Sequence, residues 1–259
     1  MVIIITGATS GLGKATAEYL SKLGHTIYSF SRRIGNDGNI KYLSCDIGNT
    51  ADIKKSIERV IINEGRIDCL INNAGFGISG SFENNSIESI KNITNVNLIG
   101  TLEMCKECLP HLRKTKGRII NISSIAGVLP IPFQTMYSVT KSAIVTFSQS
   151  LANELKPFGV KVSCLLPGDF KTDFTNNRKK EKESEEYKIR VDRSISKMEK
   201  DEINGMNPEK IAKKIAKLIN KKNPPLITTI GFQYKLFLFL NRILPTRLVN
   251  FVLYNMYGK

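Results

Sequence analysis

The sequence has no tryptophan, and only two histidines and five cysteines among 259 residues. His25 and His111 lie far apart with no ligand cluster beside either, so no metal site is predicted. Five cysteines are too few and too scattered for a disulfide framework, and one would be left over. Cys105 and Cys108 form a C-x-x-C on a predicted helix, but no second Cys or His pair completes a zinc site; free structural thiols are expected. Long apolar runs are also missing. The aromatic and aliphatic stretch 232–256 is broken by Asn241, Arg242 and Pro245, so it cannot span a bilayer as one helix. The chain opens directly on Met1-Val2-Ile3-Ile4-Ile5-Thr6-Gly7, with no charged leader or small-residue cleavage site. A cytoplasmic protein is expected.

Acidic residues are scarce too. The chain carries 38 Lys and Arg against 23 Asp and Glu, a formal net charge of +15. Residues 1–175 hold 19 and 14 of these, a net of +5, and residues 176–259 hold 19 and 9, a net of +10. Such a balance suits nucleic acid, an anionic membrane or acidic substrates. No nucleic-acid-binding motif accompanies the charge, so nucleic acid is not expected as a partner.

What the sequence does have is alternation. Short segments apolar on both faces occur at Val2–Thr6, Thr26–Ser31, Asp68–Asn72, Arg118–Ile122 and Val160–Leu166. Amphipathic segments lie between them near 12–23, 50–63, 99–115 and 136–156. Strands buried on both faces and separated by helices predict right-handed βαβ units in a doubly wound parallel sheet, an α/β Rossmann fold. The length suits one domain over residues 1–259. Residues 176–206 are charged and loosely amphipathic, and read as a mobile insertion over the substrate. Pro208 starts a helix to about Leu218, and a short strand follows near Leu226–Thr229.

Between the first strand and first helix lies Thr6-Gly7-Ala8-Thr9-Ser10-Gly11-Leu12-Gly13. Glycines at these positions let the backbone turn tightly and approach a pyrophosphate, and the helix N-terminus offers free N–H groups to the anion. Tyr137-Ser138-Val139-Thr140-Lys141 places a phenol and an ammonium on one helix face, at i and i+4. A nearby cation favours phenolate, which eases proton exchange near neutral pH. Ser123-Ser124 ends a strand thirteen residues before the tyrosine, where a hydroxyl could donate to a substrate oxygen.

Together with Asn72-Asn73-Ala74-Gly75 after the third strand, these motifs resemble the short-chain dehydrogenase/reductase family over roughly residues 1–175. The resemblance implies Gly7, Gly11 and Gly13 at the pyrophosphate turn, Asp46 at the adenine, and Asn73 stabilising the sheet near the cofactor. It implies Pro167, Gly168 and Thr172 over the nicotinamide carboxamide. The implied cofactor contacts also include Thr9, Ser10, Leu12, Ile47, Ala74, Gly75, Tyr137 and Lys141. The implied catalytic set is Asn97, Ser124, Tyr137 and Lys141, with Tyr137 as acid/base, Lys141 on the ribose and Asn97 fixing a water. A homo-oligomer, dimer or tetramer, is implied as well.

The second strand ends in Ser31-Arg32-Arg33, where an NAD-selective site usually has a carboxylate on the ribose 2′-hydroxyl. An arginine fork suits a 2′-phosphate, so NADP(H) is favoured over NAD(H). The expected reaction interconverts a small-molecule carbonyl and alcohol. Val128, Leu129, Pro130, Ile131, Pro132, Phe133, Met136, Phe170 and Phe174 suggest an apolar, lipid-like or steroid-like substrate; the alternative is that several simply pack in the core. A regulatory protein binding NADP(H) without turnover would be marked by loss of Tyr137 or Lys141, and both are present. Residues 232–256 are expected to form amphipathic helices covering the substrate entrance or a subunit interface, or touching a membrane surface.

Overall fold

Strand β1 (Val2–Thr6) is buried along its whole length, and its side chains divide by parity. Val2 and Ile4 join one hydrophobic core, Ile3 and Ile5 the other. Successive side chains of a strand point to opposite faces, so this strand is covered on both. The computed structural model describes residues 1–36, 38–171 and 178–259.

After β1 the chain continues through α1 (Gly11–Lys22), β2 (Thr26–Ser31), β3 (Ile40–Ser44), α2 (Thr50–Glu64), β4 (Cys69–Asn72), β5 (Ile78–Ser79) and α3 (Ile87–Thr94). Next come α4 (Gly100–Thr115), β6 (Arg118–Ile122), α5 (Thr135–Leu155), β7 (Lys161–Leu166), β8 (Lys179–Lys180) and α6 (Glu185–Ile203). The chain closes with α7 (Pro208–Asn220), β9 (Ile227–Thr229), α8 (Phe232–Ile243) and α9 (Thr246–Leu253). Seven strands form one parallel sheet in the order β3-β2-β1-β4-β6-β7-β9. The doubly wound parallel sheet expected from the alternation is therefore present. The core on one face gathers Ile53, Val60, Met104, Leu112 and Leu151 from α2, α4 and α5. The other gathers Leu12, Leu20, Ile211 and Ile215 from α1 and α7.

All five cysteines are free and buried. Burial pushes the Cys105 thiol up to about 12 and Cys108 well above its ordinary value, so both remain protonated packing groups.

The expected strands match within one residue at their starts, but β3 and α3 were not anticipated. Strand β3 lies at the sheet edge, with Lys41 and Ser44 exposed, so it lacks the two-sided apolar pattern. The charged segment expected as a mobile insertion contains the 19-residue helix α6. Its Val191, Ile195 and Met198 are buried against Phe133, with Ile131, Tyr187 and Tyr257 packed around them. In the tail, Tyr234 is buried, and Leu238 packs against Ile144, Val145, Cys164 and Leu166. No helix among the described residues is long and apolar enough to cross a membrane.

From β1 the chain winds one way to β2 and β3, then returns past β1 to β4, β6, β7 and β9. The loops after β1 and β4 therefore leave in opposite directions. This opens a crevice beyond the carboxyl ends of the strands, the usual ligand position in such sheets.

Candidate active site

A cleft of about 680 Å³ occupies that crevice. Residues from the ends of six strands line it: Gly7 after β1, Arg32 after β2, Asp46 after β3, Asn73 after β4, Ser124 after β6 and Gly168 after β7.

The turn after β1 is held open by its glycines. Gly7 at φ +70° and Gly11 at φ +54° adopt left-handed backbone that side-chain-bearing residues rarely take. A Cβ on Gly13 would collide with the Gly7 carbonyl and the Asn73 amide, so Gly13 lets α1 sit against the turn. From β4, Asn73 Nδ2 donates to the carbonyls of Thr6 (3.0 Å) and Gly7 (3.2 Å), and the Asn73 and Ala74 N–H groups donate to Thr6 Oγ1. From β2, Ser31 Oγ accepts from the Ala8 N–H at 3.1 Å. Helix α1 starts here with no side-chain cap on its N–H groups and no acid in its first turn. Its unpaired N–H groups and dipole suit an anion, and the cradle fits a dinucleotide pyrophosphate.

Arg32 and Arg33 are exposed and line the same cleft. Asp46 Oδ1 accepts from the Gly48 N–H at 2.9 Å. Thr9, Ser10, Leu12, Ile47, Ala74 and Gly75 complete this side.

Ser124, Tyr137 and Lys141 converge on the other side. Ser124 caps the short 3-10 turn Ile125–Gly127, accepting from the Ala126 N–H at 3.1 Å. Burial pushes the Tyr137 phenol up to about 12, and a hydrogen bond from Ser124 pulls against that shift. The i, i+4 spacing had suggested that Lys141 favours phenolate. In the structure Lys141 Nζ instead donates to the Ile122 carbonyl at 2.9 Å and stands 5.7 Å from the centre of the Tyr137 ring. Burial pulls Lys141 down to about 8. Desolvation is the leading cause at Tyr137, and it favours the protonated phenol, the form that donates a proton.

Asn97 does not line the cleft. It is buried in the π-helical stretch Asn95–Ile99 between α3 and α4. Its Oδ1 accepts from the Phe76 N–H (3.0 Å), and its Nδ2 donates to the Phe76 carbonyl (2.9 Å) and Thr140 Oγ1 (3.3 Å). The amide thus fixes the backbone beyond Gly75. Gly13 and Pro167 also stand behind the surface, the Pro167 carbonyl accepting from the Ile125 N–H at 2.9 Å. Thr172 and Phe174 lie outside the described residues.

Of the expected substrate-side residues, Ile131 and Phe170 line the cleft. Phe133 instead anchors α6, with its backbone at φ +61° and the Arg190 guanidinium 5.5 Å from its ring centre. Val128 packs against Ile144 and Leu166. Sequence reasoning missed Gln134, Asp169, Met198, Glu202 and Tyr257, which also line the cleft. Glu202 pairs with the buried Arg178. Tyr234 was missed as well: its hydroxyl accepts from the Asp169 N–H (2.9 Å) and donates to Asp169 Oδ2 (2.7 Å). Its ring fills the space that a side chain at Gly168 would need. Among the described residues no group of His, Cys, Asp or Glu could hold a metal ion.

The family model described as short chain dehydrogenase matches residues 1–183. The chain is 43% identical over 235 residues to the 3-ketodihydrosphingosine reductase of Bacteroides thetaiotaomicron, covering 89% of this chain and 87% of that protein. A short-chain dehydrogenase structure from Streptomyces avermitilis superposes with a TM-score of 0.83 at 28% identity, over 92% of this chain and 90% of that one. Two further neighbours were solved with cofactor. A 3-ketoacyl-(acyl-carrier-protein) reductase from Brucella melitensis holds NADH (TM-score 0.75, 25% identity, 88% of this chain and 96% of that one). ElxO holds NADP (TM-score 0.75, 25% identity, 90% and 98%).

Proposed function

The chain belongs to the short-chain dehydrogenase/reductase family, and from that premise we propose that it reduces the ketone of a long-chain, lipid-like substrate with NADPH. The observation that carries this reading is the convergence of Ser124, Tyr137 and Lys141 on the cleft that also holds the glycine turn. The substrate class is supported by the relative named 3-ketodihydrosphingosine reductase, and by the apolar side chains of Ile131, Phe170, Met198 and Tyr257 in the cleft. For the cofactor, Ser31 offers no carboxylate at the end of β2, and Arg32 and Arg33 stand exposed beside it. Five free, buried thiols fit a reducing, cytoplasmic setting.

A bound reduced nicotinamide supplies the hydride for the carbonyl carbon. The chain's own groups manage the oxygen. Ser124 and Tyr137 donate hydrogen bonds to it as negative charge grows, the arrangement that lowers a barrier most. Tyr137, whose burial favours the protonated phenol, then delivers its proton to that oxygen. Lys141 stabilises the phenolate that remains, and Asn97 positions the backbone behind Gly75. The glycine turn and the start of α1 hold the pyrophosphate.

The test is turnover of 3-ketodihydrosphingosine and of short water-soluble ketones with each cofactor. The long-chain ketone with NADPH is expected to be the best pair. Arg32→Ala should weaken NADPH by roughly 10–150-fold, the worth of a charge-assisted hydrogen bond, and leave NADH nearly unchanged. A wild-type preference for NADH, or equal weakening of both cofactors, would refute the assignment.

A further inference from the structure

Residues 210–259 contain ten Lys and Arg and not one Asp or Glu. The same segment carries exposed apolar side chains in an ordered array. On α8 they are Phe232 (82% exposed), Leu236, Phe239 (57%) and Ile243 (59%), at i, i+4, i+7 and i+11. That spacing places all four on one helix face. Tyr234 and Leu238 point the other way, one buried and one packed on the core, so α8 is apolar on both its inner and outer sides. On α9, Leu248, Phe251 and Val252 repeat the spacing and are also exposed.

Charge decides what such a surface fits. Lys235 and Arg242 are seven residues apart and flank the α8 stripe. Lys235, Lys221 and Lys217 lie close enough to Lys214 of α7 that its pKa is lowered, first by burial and then by these neighbours. Among the described residues no carboxylate lies within ion-pair distance of these groups. A second copy pairing through the same face would set basic groups against basic groups, since a two-fold contact is self-complementary. An anionic lipid surface answers both features, taking the rings into the acyl boundary and the cations among the phosphates.

We propose that α8 and α9 dock this protein in the plane of an anionic membrane. The same tail reaches the cleft at its end: Tyr257 lines it, and its hydroxyl donates to Asp201 Oδ2 at 3.0 Å. A lipid-like substrate would then enter from the bilayer beside the tail. That last step rests on the function proposed above, whereas the docking itself does not.

Flotation of the full chain with vesicles, without substrate, tests the docking. Vesicles of phosphatidylcholine mixed with phosphatidylglycerol should carry the protein, and phosphatidylcholine alone should carry much less. Lys235→Glu with Arg242→Glu should weaken binding to the mixed vesicles roughly tenfold or more. Phe232→Ser with Phe239→Ser should weaken it by a similar factor. Melting curves and native mass are recorded for each variant. If the apolar variant melts early, the charge variant alone decides, because it changes only exposed head groups. Failure of the wild type to float, wild-type flotation of the charge variant, or a halved native mass in the apolar variant would overturn the proposal. Turnover of a water-soluble ketone without vesicles reads the enzymatic function separately.

Discussion

Two walls face each other across the cleft, and they are held in different ways. The rim at the ends of β1, β2 and β4 is fixed by hydrogen bonds of 3.0–3.2 Å among Thr6, Gly7, Ala8, Ser31 and Asn73. The opposite wall, made by α6 and the tail, is fixed by packing: Val191, Ile195 and Met198 on Phe133, with Tyr257 against them. A hydrogen-bonded rim sets backbone groups within tenths of an ångström, which suits the phosphates and hydride geometry common to many reactions. A packed apolar wall is shaped by side-chain volume, and volume is what distinguishes one substrate from another. One cleft thus carries a general chemistry on one side and an individual specificity on the other.

The sharpest way to separate the two is at Tyr137, where they meet. Tyr137→Phe should lower turnover by about 10²–10⁴, the usual worth of a positioned acid. Cofactor dissociation constants, read by fluorescence titration, should stay unchanged. A variant that keeps more than a tenth of wild-type turnover would remove Tyr137 from the acid role.

A smaller effect concerns the stability of the α5 side of the site. Lys141 titrates at about 8 when folded, against 10.5 in its ordinary state. Between those values the unfolded chain keeps a proton that the native chain has released, so unfolding free energy rises with pH across this window. Below it the buried ammonium costs about 3 kcal/mol, at 1.36 kcal/mol per pH unit. Lys141→Met should remove that rise in denaturation curves taken at several pH values. At neutral pH it should also stabilise the fold, after forfeiting about 1 kcal/mol for the bond to Ile122. Parallel pH profiles for variant and wild type would sink this reading.

The smallest effect tests whether the walls are independent. Tyr234→Phe deletes the hydroxyl that joins α8 to Asp169 and should cost about 1 kcal/mol of stability. Because Gly168 sits under the same ring, the KM for the cofactor should rise while kcat holds. An unchanged KM would show that the packed wall does not act on the rim.

The glycine turn and the Tyr137–Lys141 pair were legible in the sequence because their parts are local. Gly7, Gly11 and Gly13 fall within one turn, Tyr137 and Lys141 within one helical repeat, and each strand end is announced by the apolar run before it. Strand β3 escaped because an edge strand with Lys41 and Ser44 exposed carries no two-sided pattern. Met198, Glu202, Tyr234 and Tyr257 escaped for another reason. Met198, Glu202 and Tyr257 line the cleft and Tyr234 braces Gly168 and Asp169 behind it, each from a distant element, and nothing in the neighbouring sequence says where that element will pack. Phe133 shows the same limit, being apolar as expected but spent on anchoring α6.

The contact between Tyr234 and the Gly168–Asp169 segment bridges 65 residues of chain. During synthesis the N-terminal part emerges first and begins to fold. A polypeptide released by the ribosome before residue 234 would already contain the glycine turn, Tyr137 and Lys141. It would lack the ring that presses on Gly168 and the hydroxyl that ties down Asp169. Helix α8 therefore works as a closing pin: a chain that includes residue 234 and one cut short before it differ at the Gly168–Asp169 segment of the cleft, which the shorter chain would leave unbraced.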